Sequence, residues 1–309
     1  MTDGSLLDVA HVVPPESTRR MAKRAMSSLA YERYAAVRLE EITYASNGLR
    51  IKGFRAMPGS SVTPSAVGEA QKAEAPLPAI IFNRGGTGPK GALTALSAMS
   101  ICGLFASWGY VCVASNYRGA GGSEGAEEWG SGDADDAMNL LPLLDAMPEV
   151  DSTRIGLIGG SRGGMLALMM LARTNRFRAA ITFGAPTMLH ATDSAAYIRR
   201  TMTKLLPSGA IEQTEAERRS VLLWADQLSK QTPLLVLHGS GDRRVDPEHS
   251  LKLAMELQRL HHPYKLIVYD NADHVLAGRR QESYTDMRWW IDNYVRNNAP
   301  LPRTGPHGA

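Results

Sequence analysis

The sequence predicts an α/β fold with a mostly parallel central sheet and helices on both of its faces. Three observations lead there. From Ala79 onward, short and nearly unbroken apolar runs alternate with helix-length segments, the texture of strands buried on both sides. Ahead of them, two strand-like stretches flank Asn47-Gly48, a strong signal for an antiparallel hairpin leading into the sheet. Gly159-Gly160-Ser161-Arg162-Gly163-Gly164 sits between an apolar run and the apolar Met165-Leu-Ala-Leu-Met-Met-Leu171, so it reads as strand, tight turn, helix.

Bulk properties bound the function. The 309 residues are 44% hydrophobic and 21% charged, as in an ordinary globular protein. Lys plus Arg number 34 against 31 Asp plus Glu, a balance that gives no reason to expect nucleic acid. The two cysteines are too few for a disulfide framework. Cys102 lies in an apolar helical run and Cys112 in a strand-like one, so both read as core thiols suited to a reducing compartment. The first residues lack a charged region followed by an apolar one. Asp3, Asp8 and Glu16 also argue against a transit peptide, despite Arg19, Arg20, Lys23 and Arg24. No stretch is read as approaching the ~20 apolar residues of a membrane span. The expected location is cytoplasmic, with no membrane partner; a homo-oligomer stays open.

In chain order, residues 1–40 are expected as a loose arm (1–16) and a helix capped by Ser17 and running to about Arg38. Met26, Ala30, Tyr34 and Val37 share a face of that helix. Residues 41–297 form the main domain. Its hairpin spans 41–46 and 49–57, and 58–78, rich in Pro, Ala, Ser and Gly, are expected as a flexible loop. Strands are expected at 79–83, 110–116, 154–158, 179–183, 233–238 and 265–269, with helices near 91–107, 134–147, 162–174, 248–261 and 280–296. The interval 185–232 breaks the alternation. It reads as a helical cap with Met188, Tyr197, Ile198, Met202, Leu205 and Leu206 on its apolar faces. Residues 298–309 are a tail. Its Leu301-Pro-Arg-Thr-Gly305 matches a sortase signal in letters, but no apolar span follows it, so it reads as coincidence or an appended tag.

The chemistry concentrates on Ser161. G-x-S-x-G between strand and helix is a nucleophile-elbow pattern, in which the serine occupies a strained turn. A serine hydroxyl is a weak nucleophile until a base takes its proton and a third group fixes the base's tautomer. In an open parallel sheet such groups gather at the carboxyl ends of strands. Of the histidines that follow, His249 opens a helix, His261 and His262 close it, and His307 is in the tail. His274 alone follows a strand directly, and is the expected base. The acid must come from the loop after 233–238. Asp242 and Asp246 are both eligible there; Asp246 precedes Pro247 and can cap the next helix, whereas Asp242 is nearer the strand end and is preferred. His238 reads as structural. The oxyanion hole is expected from the Arg162 N–H and an N–H of the loop Asn83-Arg84-Gly85-Gly86, supplied by Gly85 or Arg84.

Other glycine-rich readings fail. Gly91 follows Lys90 where a phosphate-binding loop needs Ser or Thr. The glycines of 117–125 do not fit G-x-G-x-x-G, and no HExxH or Cys/His ligand cluster occurs. Neither cofactor nor metal is expected.

Four segments resemble a known family: Asn116-Tyr-Arg-Gly-Ala-Gly-Gly-Ser-Glu-Gly125 with Trp129-Gly130 and Asp133/Asp136; Val150 to Gly164; His238-Gly-Ser-Gly-Asp242-Arg-Arg-Val245; and Asp273-His274. Over about 79–297 they are similar to the catalytic domain of prolyl oligopeptidase-type (S9-like) serine hydrolases, in the α/β-hydrolase fold. The resemblance implies a Ser161–Asp242–His274 triad, and its H-G-x-x-D-x-x-V pattern favours Asp242 over Asp246. The sequence departs from the family in three ways. The leader is too short for the family's β-propeller, Arg162 stands where an aromatic residue is frequent, and Asn83-Arg-Gly-Gly stands in place of His-Gly-Gly. Arg84 and Arg162 are candidates to hold a substrate carboxylate, with structural ion pairing as the alternative. The expected reaction is acyl-enzyme hydrolysis of short peptides. The alternatives are an esterase or thioesterase acting on small acyl substrates, and a non-catalytic binding protein of the same fold.

Overall fold

The computed structural model describes residues 1–59, 75–191, 196–203 and 213–305. One nine-stranded sheet organises them: β1 (Leu6–Val12), β2 (Arg38–Ser46), β3 (Leu49–Met57), β4 (Leu77–Asn83), β5 (Val111–Ser115), β6 (Val150–Gly160), β7 (Phe177–Phe183), β8 (Leu234–Gly239) and β9 (Tyr264–Tyr269). The spatial order is β1-β2-β3-β5-β4-β6-β7-β8-β9. The first three strands and the β3–β5 junction are antiparallel; every later pairing is parallel. This is the arrangement of the α/β-hydrolase fold.

The helices are α1 (Glu16–Ala25), α2 (Ser28–Ala35), α3 (Gly88–Gly91), α4 (Ala95–Ser107), α5 (Gly132–Met138), α6 (Leu140–Asp145), α7 (Arg162–Leu171), α8 (Ala196–Thr203), α9 (Gln213–Arg218), α10 (Glu248–Arg259) and α11 (Arg280–Ile291). Side chains alternate across the pleat, so β4 sends Ala79 and Ile81 to one face and Ile80 and Phe82 to the other. On the first face they meet α5, α6, α7 and α10 through Leu140, Leu166, Leu168 and Leu253. On the second they meet α4 and α11 through Met99, Phe105, Met287 and Trp290. Burying each such side chain stabilises the fold by roughly 1.5–3 kcal/mol.

Several boundaries differ from expectation, for physical reasons. Residues 1–16 are not loose: β1 pairs antiparallel with β2 from Leu6 to Val12. Most of its residues are exposed, so its ladder rests on backbone bonds, and its apolar residues show no clean alternation in the sequence. The single helix expected over 17–38 is two. The backbone turns extended at Met26, and Ser27 rather than Ser17 provides a side-chain cap, its hydroxyl accepting the Ala30 N–H. Helical spacing of the apolar residues survives the break, which is why the sequence concealed it. From Arg38 the chain is already β2. The hairpin turns where Asn47-Gly48 sits, with φ of +49° and +80°.

The stretch Gly88–Ser107 is, by length and apolar composition, long enough to cross a membrane. Its α4 is a core helix here, buried through Met99, Cys102 and Phe105. Of the loop expected at 58–78, residues 60–74 lie outside the described residues, and 77–78 already belong to β4. In the interval 185–232, α8 and α9 are helical and 221–223 and 225–227 form short 3-10 turns. Leu205, Leu206 and His307 lie outside the described residues, as do the side chains of Tyr197 and Met202.

Candidate active site

The chain climbs β4, crosses to β5 on one side and returns to β6 on the other, which opens a crevice at the carboxyl ends of β4 and β6. Ser161 stands there, between β6 and α7. Its φ of +54° and ψ of −126° place a non-glycine residue in a sparsely populated region, at a cost of roughly 1–3 kcal/mol. The surroundings hold it there. The Ser161 N–H donates to the Phe183 carbonyl at 2.8 Å, and its own carbonyl receives the Gly164 N–H at 2.9 Å. The turn is so tight that a Cβ at Gly163 would lie 2.0 Å from the Asn83 carbonyl oxygen, which accounts for glycine two residues after the serine.

His274 and Asp242 arrive on the loops after β9 and β8. The His274 Nδ1–H donates to Asp242 Oδ2 at 2.7 Å, which leaves Nε2 as the acceptor nitrogen of the ring. Both residues are buried, His274 at 9% exposure and Asp242 at 7%. The other carboxylate oxygen, Oδ1, receives the Arg244 and Val245 N–H groups at 2.8 and 3.1 Å. Burial pushes the Asp242 carboxyl upward. Hydrogen bonds from His238 and then His274, with the His274 charge and the Arg244 amide, outweigh it and hold the group well below the ordinary carboxylate range. Asp246, the other eligible acid, is exposed, and its side chain accepts the Glu248 N–H at the start of α10.

His238 has a larger part than a structural residue at a strand end. It is fully buried, with Nε2 at 3.2 Å from Asp242 Oδ2 and 3.0 Å from the Val245 carbonyl. Both are acceptors, so Nε2–H donates, and a neutral ring takes the Ser250 hydroxyl proton at Nδ1, 2.6 Å away. Asp242 is therefore gripped by two imidazoles. The sequence signal was present in the four-residue spacing from His238 to Asp242, but that spacing alone gives no contact. His249, set aside as a helix-opening residue, accepts the Thr187 and Met188 N–H groups on Nδ1 and anchors the segment that follows β7.

The loop after β4 passes beside Ser161. A Cβ at Gly85 would lie 2.9 Å from the Gly160 carbonyl oxygen and 3.1 Å from Ser161 Cβ, an approach only glycine allows. Arg84 fixes this loop from beneath. Its guanidinium donates to the Asn116 carbonyl through Nε and Nη2 (3.1 and 2.5 Å) and through Nη1 to the carbonyls of Gly85 and Gly91 (3.2 and 3.0 Å). Burial, helped by Arg162, lowers this guanidinium to about 10, so it stays charged at neutral pH.

Both arginines line the cavity, but each is engaged within the protein, the structural role that stood as the alternative to carboxylate binding. Arg162 is fully buried and donates through Nη1 to Glu127 and the Gly86 carbonyl, and through Nη2 to Asp133 at 2.7 Å. Both guanidiniums lie over the Tyr117 ring, and Arg162 also over Trp129. Glu127 accepts the Gly88 N–H as well, and Asp133 those of Glu128 and Gly130. A cation already shared between two carboxylates has little attraction left for a third. Arg162 ties the elbow to the loops that surround it; its Nε–H has no hydrogen-bond partner among the described residues.

Ser161 and His274 open into one cavity of ≈ 510 Å³, with Gly85, Trp129, Phe183 and Ile198 among its walls. Ile198 belongs to α8, so part of the interval expected as a cap meets the same space. The described lining residues include no carboxylate, and their charged side chains, Arg84, Lys90, Arg162 and Arg244, are all cationic. Among the described residues no cluster of three His, Cys, Asp or Glu side chains is arranged to hold a metal.

Comparison with known proteins follows the same lines. Residues 97–298 match the model of the prolyl oligopeptidase family. The uncharacterized peptidase YtmA of Bacillus subtilis is 30% identical over 261 residues, covering 83% of this chain and 94% of YtmA. A puromycin-hydrolyzing peptidase of Mycobacterium tuberculosis superposes with a TM-score of 0.72 at 21% identity, over 85% of this chain and 40% of its own. The acylaminoacyl peptidase of Pyrococcus horikoshii gives 0.68 at 20% identity, over 92% and 44%. This chain thus spans nearly all of YtmA and under half of either solved enzyme, whose likeness is one of fold.

Proposed function

Since this chain belongs to the prolyl oligopeptidase family and is a serine hydrolase of the peptidase kind, we propose that Ser161, Asp242 and His274 are its catalytic residues and that it cleaves short peptides or aminoacyl amides. The observation that carries this is the pairing of His274 Nδ1 with Asp242 while the same ring shares a cavity with Ser161 on its strained turn. Ser161 Oγ attacks the substrate carbonyl, and its proton passes to His274 Nε2. Asp242 holds the ring's tautomer and stabilises the imidazolium. The Arg162 and Gly85 N–H groups receive the oxyanion, the close passage of Gly85 favouring it over Arg84. His274 returns the proton to the departing amine, and water then releases the acyl group by the same steps in reverse.

The cavity lining bears on the substrate. A peptidase that selects a free amino terminus needs an anionic partner for it, and none lines the cavity among the described residues. Substrates whose amino end is blocked or uncharged fit this lining better, and the same lining favours esters of small acyl groups as the second reading. The buried thiols Cys102 and Cys112 support a reducing, cytoplasmic setting.

A matched panel of N-acyl and free aminoacyl p-nitroanilides and the corresponding p-nitrophenyl esters tests the proposal, with Ser161→Ala as control. Turnover of anilides that disappears in the variant supports the peptidase. Turnover of esters alone gives the esterase. Absence of turnover together with absence of fluorophosphonate labelling at Ser161 overturns both.

A further inference from the structure

A second cavity of ≈ 290 Å³ adjoins the first, between α4 and α11. Phe82, Ile101, Phe183 and Val275 line both, so the two spaces meet at these side chains. Its inner end is closed by Leu104, Phe105 and Met287, all buried. Two of the three hydroxyls on its walls are already used, Ser100 Oγ donating to the Leu96 carbonyl at 2.8 Å and Ser283 Oγ to the Arg280 carbonyl at 2.9 Å; the third belongs to Tyr284. Among the described lining residues Arg280 alone is charged, and it is exposed. The space offers dispersion contacts and very little hydrogen bonding.

Its position relative to the chemistry gives it a role. In acyl transfer His274 hands its proton to the leaving atom, so the leaving fragment departs on the His274 side. Val275 follows His274 directly, lines both cavities and is 51% exposed, an apolar wall left half uncovered by the described residues. We propose that the α4–α11 cavity is the leaving-group site, and that it takes the aromatic or branched apolar side chain of the residue after the scissile bond. This deepens the acyl-enzyme reading above and rests on it. Phe82, Ile101 and Phe183 guide that side chain inward, and Leu104 and Met287 set its depth.

Aminolysis tests it, because an amine that re-enters the leaving-group site captures the acyl group. The amine nitrogen attacks the acyl carbon, the bond from that carbon to Ser161 Oγ breaks, and His274 moves the amine proton to the serine oxygen. With the acyl-enzyme formed from a p-nitrophenyl acyl ester, phenylalaninamide and leucinamide are expected to exceed glycinamide in capture by about tenfold or more per free amine. In Ser100→Trp, whose new side chain grows from the exposed face of α4 into the mouth of the cavity, the ratio falls toward one. In Leu104→Ala, which deepens the cavity, it moves toward larger amines. Equal capture of the three amides by the wild-type enzyme overturns the proposal while leaving the acyl-enzyme intact, as does an unchanged ratio in both folded variants. Failure to form any acyl-enzyme on Ser161 overturns the hydrolase reading together with it.

Discussion

Two buried charge clusters flank Ser161, and they are built to opposite ends. On one side Asp242 is gripped by His238 and His274, and the second nitrogen of His274 has no hydrogen-bond partner among the described residues. On the other side Arg162 is closed in by Glu127, Asp133, Tyr117 and Trp129. The residues are equally polar and similarly buried. What separates them is closure. A network whose terminal group keeps one unpaired lone pair is able to exchange a proton with something new; a network whose charges are all paired internally holds loops in place, even with the Arg162 Nε–H left over. Arg162, next to Ser161 in sequence, is thus spent on Glu127 and Asp133, whereas His274, far from Ser161 in sequence, shares its cavity and is paired with Asp242.

The largest way to test that contrast is Asp242→Asn. Amide for carboxylate keeps the shape but disfavours the needed His274 tautomer, and kcat is expected to fall by roughly 10⁴ with the fold retained, as steady-state kinetics and circular dichroism would register. Arg162→Met is expected to act on stability. It strands Glu127 and Asp133 in a buried site, at about 3–5 kcal/mol in denaturant unfolding, a loss that Glu127→Gln and Asp133→Asn added to it should partly restore. The ratio of kcat/KM for acidic over neutral substrates stays unchanged in folded Arg162 variants. A selective loss on acidic substrates would return Arg162 to the binding site.

His238→Ala removes one of the two donors on Asp242 and leaves Ser250 without its ring partner. The expected loss in kcat is about 10–100-fold, the equivalent of one hydrogen bond to a charged group. A structural role alone would lower the unfolding midpoint and leave kcat of the folded fraction untouched. The carboxyl of Asp242 also predicts an acid limb. Its folded pKa lies below the ordinary aspartate value of 3.8, so its contribution to stability is complete above about pH 4 and is lost as pH falls through the depressed value. Asp242→Asn should flatten that part of the pH–stability curve. The smallest effect is expected from Asp246→Ala, within about 0.5 kcal/mol in stability and without change in kcat, because it is an exposed group at a helix start.

Much of this was legible in the chain itself. Nearly continuous apolar runs fixed the parallel strands, because only a strand buried on both faces tolerates them. The glycines around Ser161 announced the elbow, because the backbone there passes too close for any Cβ. Position at strand ends singled out His274 as the candidate base and left Asp242 and Asp246 as candidate acids, between which nearness to the strand and the resemblance favoured Asp242. Features that lack a side-chain pattern were hidden. β1 is held by its backbone ladder, and the break between α1 and α2 preserves the apolar spacing of a longer helix.

By itself, then, the sequence determined the sheet, the elbow and the residues eligible for the chemistry, since periodicity and glycine placement are local consequences of backbone sterics. Only the tertiary structure decided what those eligible side chains meet: that His238 holds Asp242, that Glu127 and Asp133 claim Arg162, and that an apolar cavity continues past His274 between α4 and α11. The polar contacts among these join residues 4 to 35 positions apart, for which no repeat along the chain carries a signal.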